Sequence, residues 1–226
     1  IGIISYQVPH LKTEQMVLRL ADRYDLIVYG LPFVQRPSRE ILFQHRPDQA
    51  QAADPAEVCA AVGARYIPIE SDTQIDNGCD LYLMAAGKLL SAECLKDKQV
   101  LNAHPGVIPA VRGLDAFKWA IYNKQPVGVT LHFIDEHIDE GTVISVTETP
   151  VFSNDTLSSF ANRHYESEIW QLCNFEYHLA ARKNPFADIA LGESTRRMKK
   201  EMEAELEERF IAYKECFAHG RKHGIY

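Results

Sequence analysis

Short apolar runs alternate along this chain with segments of helical period, and that alternation narrows the fold more than any other feature. Strands covered on both faces read as continuous apolar runs, and joining them in parallel needs a helical crossover each time. Ile1 to Ser5 reads as a first strand, Leu11, Met16, Val17, Leu20 and Tyr24 recur at helical spacing, and Leu26 to Gly30 is a second strand. Asp54 before Pro55 marks a helix start and Gly63 a helix end, which predicts a helix over 54–63 ahead of a strand from Arg65 to Pro68. Asp80 to Ala85 and Gln99 to Asn102 are further strands, separated by a short helix that begins at Ser91. A helix from Leu114 to Asn123 precedes two alternating β-branched stretches, Val127 to Ile134 and Thr142 to Phe152, which read as a hairpin with a long polar tip. Asp155 is expected to cap a long helix running toward Leu179. The fold class expected is α/β: an open, Rossmann-like, mostly parallel sheet with an appended β-hairpin and a C-terminal helical tail. Residues 1–183 are assigned to the catalytic domain and 184–226 to a linker and helical extension.

Composition excludes several classes. A net charge of -7 repels phosphate over much of the surface and argues against nucleic acid as the main partner. Five cysteines stand without a C-x-x-C pair, an odd count that predicts a reducing compartment and no zinc knuckle. No apolar run reaches the ~18 residues of a membrane span, and the opening lacks the basic flank of a signal peptide, so a cytoplasmic protein is expected. The chain begins at Ile1 rather than methionine, and the first strand is expected to be longer than it reads.

Chemistry concentrates after the strand Gln99 to Asn102, in Leu101-Asn-Ala-His-Pro-Gly106. Ligands of open α/β sheets sit beyond the carboxyl ends of the strands, where Asn102 and His104 arrive on the same side. An amide that donates to an oxyanion, two residues from a ring that handles a proton, is what acyl transfer requires. An Asx-turn asparagine and a backbone-bonded histidine would give the same spacing. Further on, Gly128-Val-Thr-Leu-His132 leads into the carboxylate-rich loop Asp135-Glu-His-Ile-Asp-Glu-Gly141, which can carry an aspartate, 35 residues after His104, back to the imidazole.

Residues 80–172 resemble the formyltransferase family that includes glycinamide ribonucleotide, methionyl-tRNA and sugar N-formyltransferases and formyltetrahydrofolate hydrolase. The matching pieces are Met84-Ala-Ala-Gly-Lys88, Leu101-Asn-Ala-His-Pro-Gly106, Ile108-Pro109 with Arg112-Gly113, Gly128-Val-Thr-Leu-His132 and Ile138-Asp-Glu-Gly141. The resemblance implies Asn102, His104 and Asp139 as a catalytic trio and 10-formyltetrahydrofolate as formyl donor. It also implies that Met84, Ala85, Ala86 and Gly87 bracket the pterin with Asp135, Glu136, His137 and Ile138, and that no metal is needed. For Ala85-Ala86-Gly87 a tight turn of small residues is the alternative.

The resemblance implies a small-molecule amine as acceptor, and elimination among the family's acceptors narrows which one. Where glycinamide ribonucleotide formyltransferases carry a Gly/Ser/Asn phosphate loop, this chain reads Ser5-Tyr-Gln-Val-Pro-His-Leu-Lys12. The tRNA enzymes carry a C-terminal β domain and the hydrolases a regulatory domain, neither of which is expected in this chain. A nucleotide-linked amino-deoxysugar survives, with glycinamide ribonucleotide or an amino acid derivative as alternatives. Arg36, Arg39, His45, Arg46, Arg112 and Gly113 are candidates for contacting it, against an ordinary solvated connection over the first four. A metal hydrolase using His104, His132, His137 and Asp139 is disfavoured because residues 132 and 137 differ by an odd number. A non-catalytic binding module is disfavoured by the complete trio. In the tail, Met202, Leu206, Phe210 and Tyr213 share a helical face that a second subunit would cover, which leaves a homodimer open.

Overall fold

A computed structural model of the chain describes residues 1–34, 40–135, 141–188 and 192–220. Five parallel strands come first: β1 (Gly2–Tyr6), β2 (Ile27–Leu31), β3 (Arg65–Pro68), β4 (Tyr82–Met84) and β5 (Val100–His104). β6 (Arg112–Gly113) lies outside this sheet, and β7 (Gly128–Phe133) and β8 (Val143–Glu148) extend it antiparallel, giving the order β3-β2-β1-β4-β5-β7-β8. The expected α/β class, parallel sheet and appended hairpin are all present. A crossover from β3 past β1 to β4 makes β1/β4 the point where strand order reverses, the usual place for a ligand crevice.

The helices are α1 (Leu11–Leu20), α2 (Pro55–Val62), α3 (Ala92–Leu95), α4 (Ala116–Tyr122), α5 (Leu157–Cys173), α6 (Phe175–Ala181), α7 (Lys200–Glu203) and α8 (Leu206–Phe217). Asp54 accepts from the Ala56 amide, Pro55 opens α2 and Gly63 closes it at φ 73°, as the sequence predicts. At α5 the expectation fails by one residue. Thr156 is the cap, in a reciprocal box with Ser159, while Asp155 bridges Arg163 and the Phe152 amide. The expected long helix also breaks at Asn174, so α5 and α6 are separate elements. Residues 184–195 hold β9 (Ser194–Thr195), which pairs in parallel with β6.

Sheet parity sorts the core. Ile3, Val28, Leu83, Leu101 and Leu131 face α1 and α5, whose Met16, Val17, Leu20, Ile169 and Leu172 complete one cluster. Ile4, Tyr29, Tyr82, Met84 and Val100 occupy the other face. A third cluster joins α4, α5 and α8 through Phe117, Phe160, Leu206, Phe210 and Tyr213. Phe210 stacks on Phe160 at 5.7 Å, and the Tyr213 hydroxyl accepts the Val127 amide at 3.2 Å. The face offered above for a second subunit is therefore covered by the chain itself. Among the described residues no helix is long and apolar enough to cross a membrane.

Phe210→Ala is expected to lower stability by about 3–5 kcal/mol, since it empties a buried aromatic site. Denaturant midpoints should fall equally at all protein concentrations. A concentration-dependent loss would place this face between subunits instead.

Candidate active site

Asn102 and His104 stand two residues apart on β5, so both project to the face that carries Ile4 and Met84. The antiparallel pairing with β7 sets His132 opposite Asn102 and Thr130 opposite His104. The His132 Nδ1 lies 3.2 Å from the Phe133 carbonyl, which can only accept, so the ring proton belongs on Nδ1. Nε2 is then an acceptor, and the Asn102 Nδ2 donates to it at 3.2 Å. One hydrogen of the amide nitrogen is thereby fixed and the side chain oriented, with a second N–H on the same atom.

His104 is buried, and its Nε2 donates to the Val111 carbonyl at 3.0 Å. The chain between them folds back over the ring so closely that a Cβ on Gly106 would lie 2.8 Å from Nε2, which explains the glycine. Thr130 clamps this turn: its hydroxyl donates to the Gly106 carbonyl at 2.7 Å and accepts the Ile108 amide at 3.0 Å. From α5, His164 Nε2 donates to the Pro105 carbonyl at 3.3 Å, and Nδ1 accepts from the Thr149 hydroxyl at 2.8 Å. Burial pushes the His164 pKa down to about 4, so the ring is neutral at pH 7.

Next to this loop lies a charge cluster of which the sequence marks only Arg46. Glu168, one helical turn after His164, is buried and takes Lys12 at 3.3 Å and Arg46 at 3.1 Å. Burial alone would raise the Glu168 pKa, yet Arg46 and Lys12 outweigh it and hold the carboxyl below its ordinary value. Burial, reinforced by Lys12 and Arg46, depresses His10 to about 3. Burial lowers the Lys12 pKa against the pull of Glu168, and with Lys12 protonated the two cations outnumber the one carboxylate. The available signal was that His164 and Glu168 fall on the buried stripe of α5, with Leu157, Phe160, Ala161 and Leu172. Polar residues on such a stripe need partners.

The other expected site residues sort as follows. Met84 lies beside Asn102 across the β4–β5 ladder. The Ala85 and Ala86 amides both donate to the Ile4 carbonyl, at 3.0 and 3.2 Å, so these two N–H groups serve the sheet rather than a pterin edge. Gly87 follows on this turn and Asp135 on the loop after β7. His45 is half-buried and stacks on Phe117 at 6.0 Å, and burial holds its pKa well below 6.5. Arg112 is buried, and its Nε and Nη2 donate to the Gly192 carbonyl at 3.2 and 2.9 Å. Gly113, at φ 88°, pairs with Thr195. Arg36, Arg39, Glu136, His137, Ile138 and Asp139 lie outside the described residues.

Comparison with known proteins places this geometry. The model of the formyl transferase domain matches residues 49–175, more than half of the chain and including Asn102, His104, His132 and Glu168. The chain belongs to the formyl transferase family. Among curated relatives, a chloroplastic phosphoribosylglycinamide formyltransferase of Vigna unguiculata is 29% identical over 97 residues, covering 38% of this chain and 31% of that protein. Formyltetrahydrofolate deformylase 2 of Arabidopsis thaliana is 29% identical over 118 residues, covering 47% and 36%. The match thus spans about a third of either relative. Among solved structures, a sugar N-formyltransferase from Shewanella sp FDAARGOS_354 has a TM-score of 0.51 at 23% identity, covering 88% of this chain and 74% of that one. A phosphoribosylglycinamide formyltransferase from Streptococcus pneumoniae TIGR4 has 0.54 at 17%, covering 80% and 97%. These likenesses are of fold.

The neutral histidines give a pH dependence with a definite sign. His164 titrates at about 4 in the fold and His10 at about 3, against 6.5 for an ordinary histidine. Between those values the unfolded chain binds more protons, so stability is full above pH 6.5 and is lost as pH falls toward 4. From His164 alone the loss reaches about 3 kcal/mol at 1.36 kcal/mol per pKa unit. Urea midpoints measured from pH 7 to 4.5 should fall, and His164→Gln should flatten the slope. An unchanged slope in that variant would show that folding does not depress the His164 pKa.

Proposed function

We propose that the chain transfers a formyl group from 10-formyltetrahydrofolate to a neutral primary amine. The observation that carries this reading is the Asn102 amide, held by His132 at the carboxyl end of β5 and two residues from His104. Attack of the amine on the formyl carbon forms a C–N bond and leaves a tetrahedral centre with an oxyanion. The second N–H of Asn102 donates to that oxygen. His104 has its Nε2 committed to the Val111 carbonyl, so proton transfer by this ring runs through Nδ1. Asp139 is assigned to favour the imidazolium and draw the proton off the amine. Collapse of the centre expels tetrahydrofolate, whose nitrogen takes a proton. Met84 to Gly87, through groups other than the Ala85 and Ala86 amides, and residues 135–138 are assigned to the pterin.

The acceptor proposed is the amine of a nucleotide-linked amino-deoxysugar, in the cytoplasm. Two features support an anionic acceptor held by side chains. Pro9 and the immediate start of α1 at Leu11 follow β1 where a backbone phosphate nest would need small residues. The Lys12–Glu168–Arg46 cluster carries an excess positive charge, and Arg46 is its partly exposed member, at 34% of its side chain. Glycinamide ribonucleotide is the second reading, because phosphoribosylglycinamide formyltransferases share the fold to the same degree.

Tetrahydrofolate release is the assay, with nucleotide-linked amino-deoxysugars, glycinamide ribonucleotide and free amino acids as acceptors. Turnover is expected with the first group, and Asn102→Ala should lose about 100-fold or more of it. His104→Ala should lose on the order of 100- to 10,000-fold, with the circular dichroism spectrum unchanged. Turnover of glycinamide ribonucleotide alone would overturn the sugar assignment. Near-wild-type rates in either variant would remove that residue from the catalytic unit.

A further inference from the structure

A fully buried ion pair sits in the apolar cluster between α4 and the tail. Lys118 Nζ lies 2.6 Å from Glu203 Oε1, and both side chains are at most 1% exposed. Phe117 precedes Lys118 on α4 and Leu206 opens α8 just after Glu203, and both belong to the apolar cluster that joins these helices. A buried pair of this kind stabilises a fold no better than apolar residues of the same size, which leaves room for a further role. The second oxygen supplies one. Glu203 Oε2 accepts the Leu42 amide at 3.0 Å, across 161 residues of sequence.

Leu42 belongs to residues 40–46, an irregular stretch after β2. Its other inward contacts follow directly: Phe43 packs on the same cluster, His45 stacks on Phe117 with an interplanar angle of 9°, and Arg46 reaches Glu168. The Lys200–Glu40 pair at 2.6 Å is exposed and contributes little. Just before α7, the tail also holds Arg112 through the Gly192 carbonyl and Gly113 through Thr195. One stretch, 192–203, thus fastens both chain segments that carry the candidate acceptor contacts.

We propose that Glu203 is a positioning residue: seated on Lys118, it pins the Leu42 amide and so sets the loop that delivers His45 and Arg46 to the acceptor side of the site. That this side serves the acceptor rests on the formyl-transfer reading. Glu203 touches no reacting atom.

Removing Glu203 alone would strand a buried lysine and unfold the chain, so the test uses two uncharged pairs. Lys118→Met with Glu203→Gln keeps an oxygen for the Leu42 amide. Lys118→Met with Glu203→Met removes it. In hydrogen exchange, the Gln variant should protect Leu42 as the wild type does, while in the Met variant protection should fall about tenfold, the worth of one such bond. With the acceptor identified by tetrahydrofolate release, the Met variant should raise its KM by a similar factor and leave kcat and the KM for 10-formyltetrahydrofolate unchanged. Equal protection in both variants, or equal loss in both, overturns the proposal. So does an unchanged acceptor KM once the Leu42 amide has lost its protection. If the exchange pattern holds and no amine is turned over, the formyl-transfer reading fails while the pinning of residues 40–46 stands.

Discussion

The antiparallel pairing of β5 with β7 is the constraint on which the candidate site depends. Five strands run parallel, and reversal at this ladder brings the end of β7 alongside the end of β5. Because side chains alternate, register alone decides which β7 residue meets Asn102. At the observed register it is His132, with Thr130 beside His104. A slip of one residue would set Leu131 or Phe133 opposite the amide and turn His132 to the other face. The same ladder buries Leu101, Ala103, Val129 and Leu131 against α1 and α5, so the apolar core fixes the polar alignment.

Around this ladder the polar groups are held by partners rather than by solvent. His132 is oriented by the Phe133 carbonyl, His104 by Val111, and His164 by Thr149 and Pro105. Each bond fixes a tautomer as well as a position, which lets neutral imidazoles accept or donate at defined atoms. The buried ions follow a different rule. Lys12 and Glu168 neutralise one another, Arg46 adds charge from the rim, and Lys118–Glu203 ties the tail to α4. A net charge of -7 for the whole chain thus coexists with a local positive excess beside the site.

Much of this was legible in the sequence, for physical reasons. Apolar runs and capping residues located β1 to β5 and α2, because burial on both faces and the Asp54–Pro55–Gly63 grammar leave local marks. Asn102 and His104 stood out through their place at a strand end. The tail's apolar face was visible too, but periodicity says only that a face is covered, and Leu206, Phe210 and Tyr213 are covered in cis by α4 and α5. Lys12, Glu168 and Glu203 were not legible as a group. Their pairings span 156, 122 and 85 residues, and no local pattern encodes a partner at that range. Asp155 misled because it sits one residue before the true cap and answers Arg163 instead.

In the proposed mechanism His132 sets the Asn102 amide, and formyl transfer depends on that one bond. A double-mutant cycle on formyl transfer measures it, using Asn102→Ala, His132→Phe and the pair together. His132→Phe keeps a ring in place and removes the acceptor. It should lower turnover on the order of tenfold, as expected for one hydrogen bond. The double variant should be no slower than Asn102→Ala, because both changes remove the same contact. Multiplicative effects, or a wild-type rate in His132→Phe, would contradict it.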